Sequence, residues 1–254
     1  MKTAIITLTK GGVELGLQLQ ERLAGSELYV PERHKDMVVV SQPSLPATRR
    51  LSLVPTEKDK AQIFDGLLKD LVAKIFAEYD GFIFIMATGI VVRVIAPLIK
   101  GKEIDPAVVV MDEAGRFVIS LLSGHLGGAN ELAREVAGRI GATPVITTAT
   151  DVCGKLCAED LAKELDGEIG NVRMIKNVNL AFLHDEPVAI NIPYEKRDTL
   201  KRSSNFVFYD NLEELLGSEY LTRIAVTNRL REGIENGCLV IRPRNLVVGV
   251  GCNR

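Results

Sequence analysis

Apolar and polar positions alternate along this chain in two rhythms, and the rhythms take turns. Residues 3–8, TAIITL, are a short β-rich apolar run; TKGG follows, and then VELGLQLQERLAG. In that stretch Val13, Leu15, Leu17, Leu19 and Leu23 mix two periods, but its length, its Gln/Glu/Arg content and the stop at Gly25 predict a helix. Val38–Val40 predicts a second short strand, and Pro43, Pro46 and Pro55 predict a loop over 42–56. Residues 57–79 carry Ile63, Leu67, Leu68, Leu71, Val72 and Ile75 at helical spacing. GFIFIMA, 81–87, is apolar throughout, the mark of a central strand covered on both faces. VVVMDEAGRFVISLL, 108–122, predicts two strands around a turn that holds Asp112 and Glu113. Leu132, Ala133, Val136, Ala137 and Ile140 form one face of a helix over 129–140, stopped by Gly141. TPVITT, 143–148, predicts another short strand.

Strands alternating with helices predict an α/β fold for residues 1–150: an open, mostly parallel sheet with helices on both faces. After a boundary near Thr150–Gly154, a second smaller α/β domain is expected over 151–244. It is helical in tendency over 158–184 and then offers four strands, PVAINI, NFVFYD, LTRIAVTN and CLVIRP. NLVVGVGCNR, 245–254, is an apolar strand running into a Gly-x-Gly turn. It reads either as the start of a further domain or as a C-terminal edge strand.

Composition narrows the function classes. A net charge of −2 on 254 residues gives no electrostatic reason to expect nucleic acid or an anionic membrane as partner. No run approaches the ~18 apolar residues of a membrane span, and the N-terminus is too short in apolar residues for a signal peptide. Cys153, Cys157, Cys238 and Cys252 are too sparse for a disulfide framework, so a reducing cytoplasm is expected. Cys153 and Cys157 lie four apart with only acidic residues nearby, which reads as incidental thiols rather than a metal site.

The chemistry concentrates at glycine turns that follow apolar strands: Thr9-Lys10-Gly11-Gly12, Thr88-Gly89, and Ser123 to Asn130. In an open α/β sheet ligands gather at the carboxyl ends of the strands. Glycine there admits close backbone approach, and a following helix favours an anion. Three such turns are expected to form one rim around a polyanionic ligand. None matches a Walker A loop or Gly-x-Gly-x-x-Gly. His125 stands among Gly124, Gly127 and Gly128, which supply no packing, so solvent or ligand can reach it. An imidazole titrates near neutrality and suits proton transfer; the bland alternative is a loop histidine bonded to a carbonyl. Glu131 is either a base, a partner that orients His125, or an ordinary acidic residue in a first helical turn. Asn130 either caps the helix or donates to a ligand. Ser123 is no nucleophile by pattern, since SGHLG is not Gly-x-Ser-x-Gly. Arg93, four residues past Gly89, either pairs with a ligand carboxylate or is solvated. His34 in PERHKD reads as solvated, and His184 as a residue at a helix end.

MATGIVVRVIAP, VVVMDEAGRFVISLLSGHLGGANELAREVA and ATPVITTATDV resemble the cobalt-precorrin-5A hydrolases of the anaerobic cobalamin pathway. The likeness covers about residues 1–250, and Ser-Gly-His-x-Gly-Gly-Ala-Asn is its most specific element. LVVGVGCNR resembles the strand that opens the family's C-terminal domain, so 245–254 is expected to be the start of a C-terminal domain that is missing here. The resemblance implies a substrate: a cobalt-containing tetrapyrrole rich in carboxylates. Its ring A δ-lactone is opened by water, the two-carbon bridge leaves as acetaldehyde, and cobalt-precorrin-5B remains. Cobalt then arrives inside the substrate, and no cofactor is required. Under this reading His125 is the base, with Glu131 beside it. Gly127 and Gly128 N–H groups face the oxyanion with Asn130 as a supporting donor, Ser123 and Gly124 belong to the substrate-binding loop, and Thr88, Gly89 and Arg93 hold carboxylate arms. Neighbouring enzymes of the pathway are candidate partners, and the oligomeric state stays open. Two other classes remain: a corrinoid-binding or transfer module with His125 as axial cobalt ligand, and a regulatory subunit whose loops bind a small anion.

Overall fold

The computed structural model describes residues 1–39, 61–101, 103–200, 205–229 and 232–244. The run GFIFIMA is the middle of its first sheet. Seven strands lie in the order β3-β2-β1-β4-β5-β6-β7. They are β1 (Thr3–Thr7), β2 (Ser26–Pro31), β3 (Gln62–Phe64), β4 (Gly81–Ile85), β5 (Ala107–Met111), β6 (Phe117–Leu122) and β7 (Thr143–Val145). The first five are mutually parallel. β6 runs antiparallel to β5, and β7 is parallel to β6. Phe82, Ile83, Phe84 and Ile85 are fully buried because both sheet faces are covered. Helices Lys10–Arg22 and Ala129–Ile140 pack on the face of Ile5, Ile83 and Val109. Helices Leu68–Ile75 and Thr88–Ile95 pack on the face of Ile6, Phe82 and Val110. Burying each such side chain contributes roughly 1.5–3 kcal/mol.

Three expectations are corrected. The second strand is Ser26–Pro31, not Val38–Val40: Val38 and Val39 lie in a short helix, Asp36–Val39, and Val40 is outside the described residues. Gly25, at φ +80°, turns the chain back from the first helix, so Leu28 and Tyr29 fall beside Ile5 and Ile6. Ile63 belongs to β3 rather than to the helix predicted over 57–79. Asp65–Gly66 ends that strand, with the Gly66 N–H on Asp65 Oδ1 at 2.8 Å and Gly66 at φ +92°, so the helix begins only at Leu68. The predicted helical region 158–184 is broken by a strand, described below, after a turn with Asp166 at φ +50°. The β-rich stretch IVVRVI is helical, because Val91 and Ile95, four apart, bury against the aromatic side of the sheet and outweigh propensity. The predicted loop at 42–56 and the tail 245–254 lie outside the described residues.

Near the start of β1, β2 and β4 a hydroxyl chain is buried. Tyr29 Oη and Tyr79 Oη are 2.7 Å apart, and Tyr79 donates to Glu27 Oε2 at 2.6 Å. Burial first, then the bonds to Glu27 and Tyr29, push the Tyr79 phenol well above its ordinary range.

The chain divides into two compact units, Met1–Ile146 and a second from Thr147. The second holds β8 (Gly167–Ile169), β9 (Val188–Asn191), β10 (Phe206–Tyr209), β11 (Arg223–Val226) and β12 (Leu239–Pro243) in the order β10-β9-β11-β12-β8. All are parallel except β8, which runs against β12. Ala158–Glu164 and Ile175–Leu183 cover one face, Leu212–Gly217 and Ile234–Gly237 the other. Cys157 is buried and caps Ala158–Glu164, its Sγ accepting from the Asp160 N–H at 3.3 Å; burial pushes its thiol up. His184 follows Ile175–Leu183 at its C-terminus, its N–H on the Leu180 carbonyl. Among the described residues, no helix is long and apolar enough to cross a membrane.

Candidate functional site

Parallel β1–β5 place their carboxyl ends on one edge of the first sheet. The strand order reverses there: β2 and β3 lie to one side of β1, β4 and β5 to the other. The helices that leave β1 and β4 therefore sit on opposite faces, and a crevice opens between their N-termini. Thr9 caps the first helix, its Oγ1 accepting from the Gly12 N–H at 3.2 Å. A Cβ on Gly12 would lie 3.3 Å from the Ile85 carbonyl oxygen, so the turn presses against the end of β4. Thr88 and Gly89 open the second helix. Arg93 is exposed and folds back along it, donating to the Gly89 carbonyl at 3.2 Å. Its guanidinium is thus held toward the crevice.

Three residues at this edge are not among the site residues read from the sequence. Arg33, just past β2, donates to the Leu8 carbonyl, and half-buried His34 beside it accepts from Arg33 Nε at 3.3 Å. Placing β2 correctly is the signal that finds them. Glu113, read only as a turn residue, extends Oε2 to 3.6 Å from where a Gly11 Cβ would stand. Its neighbour Asp112 is the turn's organiser: Oδ1 accepts from the Phe117 and Arg116 N–H groups at 2.7 and 2.9 Å. Burial raises its carboxyl, but those bonds and the Arg116 side chain outweigh burial and hold it below the ordinary value. A cavity of about 290 Å³ opens here, floored by Met86, Val110 and Ile119 and rimmed by Thr88, Glu113 and Phe117.

The turn from Ser123 to Asn130 is elsewhere. β6 is reversed, so Leu122 pairs with Val108, at the start of β5. The loop that follows opens at the edge where β1 and β4 begin. Met1 marks the place: its Sδ and Cε lie 3.0 and 3.2 Å from where Cβ atoms of Gly81 and Gly128 would be. The expected single rim is therefore overturned. Ser123, Gly124, His125, Gly127, Gly128, Asn130 and Glu131 gather at one edge; Thr9–Gly12, Thr88, Gly89 and Arg93 gather at the other. Five-residue strands separate the edges by ~17 Å of packed sheet.

The His125 loop is folded on itself. The N–H groups of Gly128, Ala129 and Asn130 donate to the carbonyls of His125, Ser123 and Gly124 at 3.1, 3.1 and 3.0 Å. The Gly128 N–H is thus committed, which removes it as an oxyanion donor. Asn130, 3% exposed, braces the loop from below: its Oδ1 accepts from Ser120 Oγ at 2.7 Å and would lie 2.9 Å from a Gly124 Cβ. Glu131 stands in the first turn of Ala129–Ile140, where the helix dipole favours it. His125 is half-buried at the tip, beside exposed Leu126. Ser123 is the anomaly, at φ +58° with a buried Oγ that has no hydrogen-bond partner. Among the described residues, no three His, Cys, Asp or Glu side chains cluster as a metal ion would require.

These features define an open α/β domain with a switch-point crevice at one edge and a histidine-bearing glycine loop at the other, joined in sequence to a second α/β unit. Residues 70–151 match the family described as cobalamin synthesis G N-terminal, and residues 158–243 match the cobalamin biosynthesis central region. The chain belongs to this cobalamin synthesis G family. It is 32% identical over 260 residues to a cobalt-precorrin-5A hydrolase of Priestia megaterium, covering 99% of this chain and 65% of that protein. With a cobalt-precorrin-5A hydrolase of Salmonella typhimurium it shares 41% over 195 residues, 75% of this chain and 55% of that one. The chain thus spans between about half and two thirds of the length of these relatives. A solved structure of a cobalamin biosynthesis protein G homologue from Sulfolobus solfataricus is 23% identical, with TM-score 0.45 over 95% of this chain and 60% of that one.

Proposed function

We propose that this chain is a cobalt-precorrin-5A hydrolase. The observation that carries the reading is the 32% identity with the Priestia megaterium hydrolase across 99% of the chain. The substrate brings its own cobalt, and the protein supplies no cofactor; the compartment is the cytoplasm. Water adds to the lactone carbonyl carbon while His125 takes its proton. The carbonyl oxygen becomes an oxyanion, the ring C–O bond breaks, and the departing oxygen takes up the proton, leaving a carboxylic acid and a hydroxyl. That hydroxyl then loses its proton as it becomes the carbonyl of acetaldehyde. The carbon–carbon bond to the macrocycle breaks, and its electron pair takes a proton at the ring carbon. Both steps need one group that accepts and returns a proton, the task an imidazole suits.

The two-edge geometry supports placing the reacting centre at the His125 loop, with Thr88, Gly89 and Arg93 at the opposite edge of the sheet. The test is incubation of the chain with cobalt-precorrin-5A and an assay for acetaldehyde. Stoichiometric acetaldehyde with loss of the lactone is expected. A shifted visible spectrum with no acetaldehyde would make the chain a corrinoid binder.

A further inference from the structure

We propose that the Ser123 hydroxyl is the hydrogen-bond donor that meets the substrate's reacting carbonyl oxygen; this rests on the hydrolase reading above. A buried hydroxyl normally finds a partner, and one left without costs stability. A serine at φ +58° adds backbone strain that glycine would avoid. Both deficits fall on one residue, two positions before His125.

The neighbours are arranged around that hydroxyl. A Cβ on Gly127 would lie 2.4 Å from Ser123 Cβ and 3.3 Å from its Oγ. Gly127 thus lies against Ser123 with bare backbone. Gly124 rests directly on Asn130, whose Oδ1 would lie 2.9 Å from a Cβ there and which holds the base of the loop fixed from below. A cover one backbone thick, flanked by glycines, can shift to admit a ligand oxygen where a covered side chain could not. Once admitted, that oxygen supplies the partner Oγ–H lacks. The Gly128 N–H already donates to the His125 carbonyl, whereas the buried Ser123 Oγ–H has no partner and is free to donate. Its proton points at the carbonyl oxygen as charge develops there, and His125 handles the water on the other side of the carbon. Ser123 forms no covalent bond in this scheme.

Ser123→Gly and Ser123→Ala in the full chain test it, with three readouts: thermal midpoint, visible titration with cobalt-precorrin-5A, and single-turnover acetaldehyde release. Ser123→Gly relieves the backbone strain and removes the orphan hydroxyl, so its midpoint should rise by about 2–4 °C. Turnover should nonetheless fall ~10²–10³-fold in both variants, as for loss of an oxyanion donor, and affinity should fall only about three- to tenfold. A merely structural serine would move the midpoint and leave turnover alone; Ser123→Gly turning over at the parental rate overturns the proposal. If the parental chain binds cobalt-precorrin-5A but releases no acetaldehyde, the hydrolase reading fails and the titration decides. Unchanged affinity in both variants then overturns the Ser123 contact, and a three- to tenfold loss retains it. If the parental chain does not bind the compound, both readings fall.

Discussion

The two edges of the first sheet are made from similar parts, and they use them differently. At the crevice, Gly11, Gly12 and Gly89 bring backbone close to other groups: Glu113, the end of β4 and the Arg93 guanidinium. At the opposite edge, Gly124 and Gly127 make room for the protein's own side chains, Asn130 beneath one and Ser123 beneath the other. The crevice edge is open and its cations rest on carbonyls. The His125 edge is closed by three backbone hydrogen bonds and carries an unpaired hydroxyl. A glycine turn after a strand is therefore no ligand signal by itself; what occupies the space it frees decides its meaning.

The sharpest break in this comparison is chemical. His125→Ala should lower single-turnover acetaldehyde release ~10²–10⁴-fold, the usual worth of a positioned acid or base, with affinity for cobalt-precorrin-5A nearly unchanged. Parental turnover in this variant would leave the His125 edge without a catalytic role.

Stability separates the edges next. Gly127→Ala forces a Cβ to 2.4 Å from Ser123 Cβ and 2.9 Å from its carbonyl oxygen. It should cost about 1–3 kcal/mol, as overpacking does, read as a lower midpoint in denaturant. Gly89→Ala meets only the flexible end of Arg93 at 3.4 Å and gains helix propensity, so it should be neutral or stabilising by up to ~1 kcal/mol. Equal losses at both sites would erase the contrast.

The edges should also respond to opposite extremes of pH. Tyr79 has a raised phenol, so its stabilising contribution is complete below the unfolded value near 10 and is lost as pH rises beyond it. Tyr79→Phe should remove that alkaline decline. Asp112 has a lowered carboxyl, so its contribution is present above the unfolded value near 4 and is lost as pH falls through its folded one. Asp112→Asn should flatten the acid limb instead. Chemical denaturation across pH reads both, and an acid-sensitive Tyr79 limb would contradict the assignment.

The smallest effect is expected from Arg93→Ala. Placed across the sheet from His125, it should change the affinity for cobalt-precorrin-5A by less than about twofold, within the ordinary range of a surface substitution. A loss of tenfold or more in the same titration would put the macrocycle at the crevice and reverse the comparison.

Much of the architecture was legible. β4 declared itself by unbroken apolarity, and Ala129–Ile140 by its stripe and its Gly141 stop. β2 was not, because SELYVP opens with polar residues and closes on proline; its strand identity comes from Gly25 folding it against β1. The candidate residues were legible as a set, yet their grouping was misread from a feature that was itself in plain view. Asp112–Arg116 is a turn too short for a parallel crossover, which needs a dozen or more residues. β6 had to run backwards, and with it the His125 loop had to leave from the far edge. Arg33 stayed hidden because its strand was misplaced, and the orphan hydroxyl of Ser123 depends on a torsion that no residue pattern encodes.

The contact between positions 123 and 127 also sets how this loop can drift through evolution. With Ser123 in place, position 127 accepts no side chain, and replacing Ser123 by glycine would still leave its carbonyl 2.9 Å from any new Cβ. A lineage that loses Gly127 must therefore rebuild the loop backbone as well. Position 123 can therefore change while the loop keeps its shape, whereas loss of the glycine at 127 marks a descendant whose loop has taken a different one.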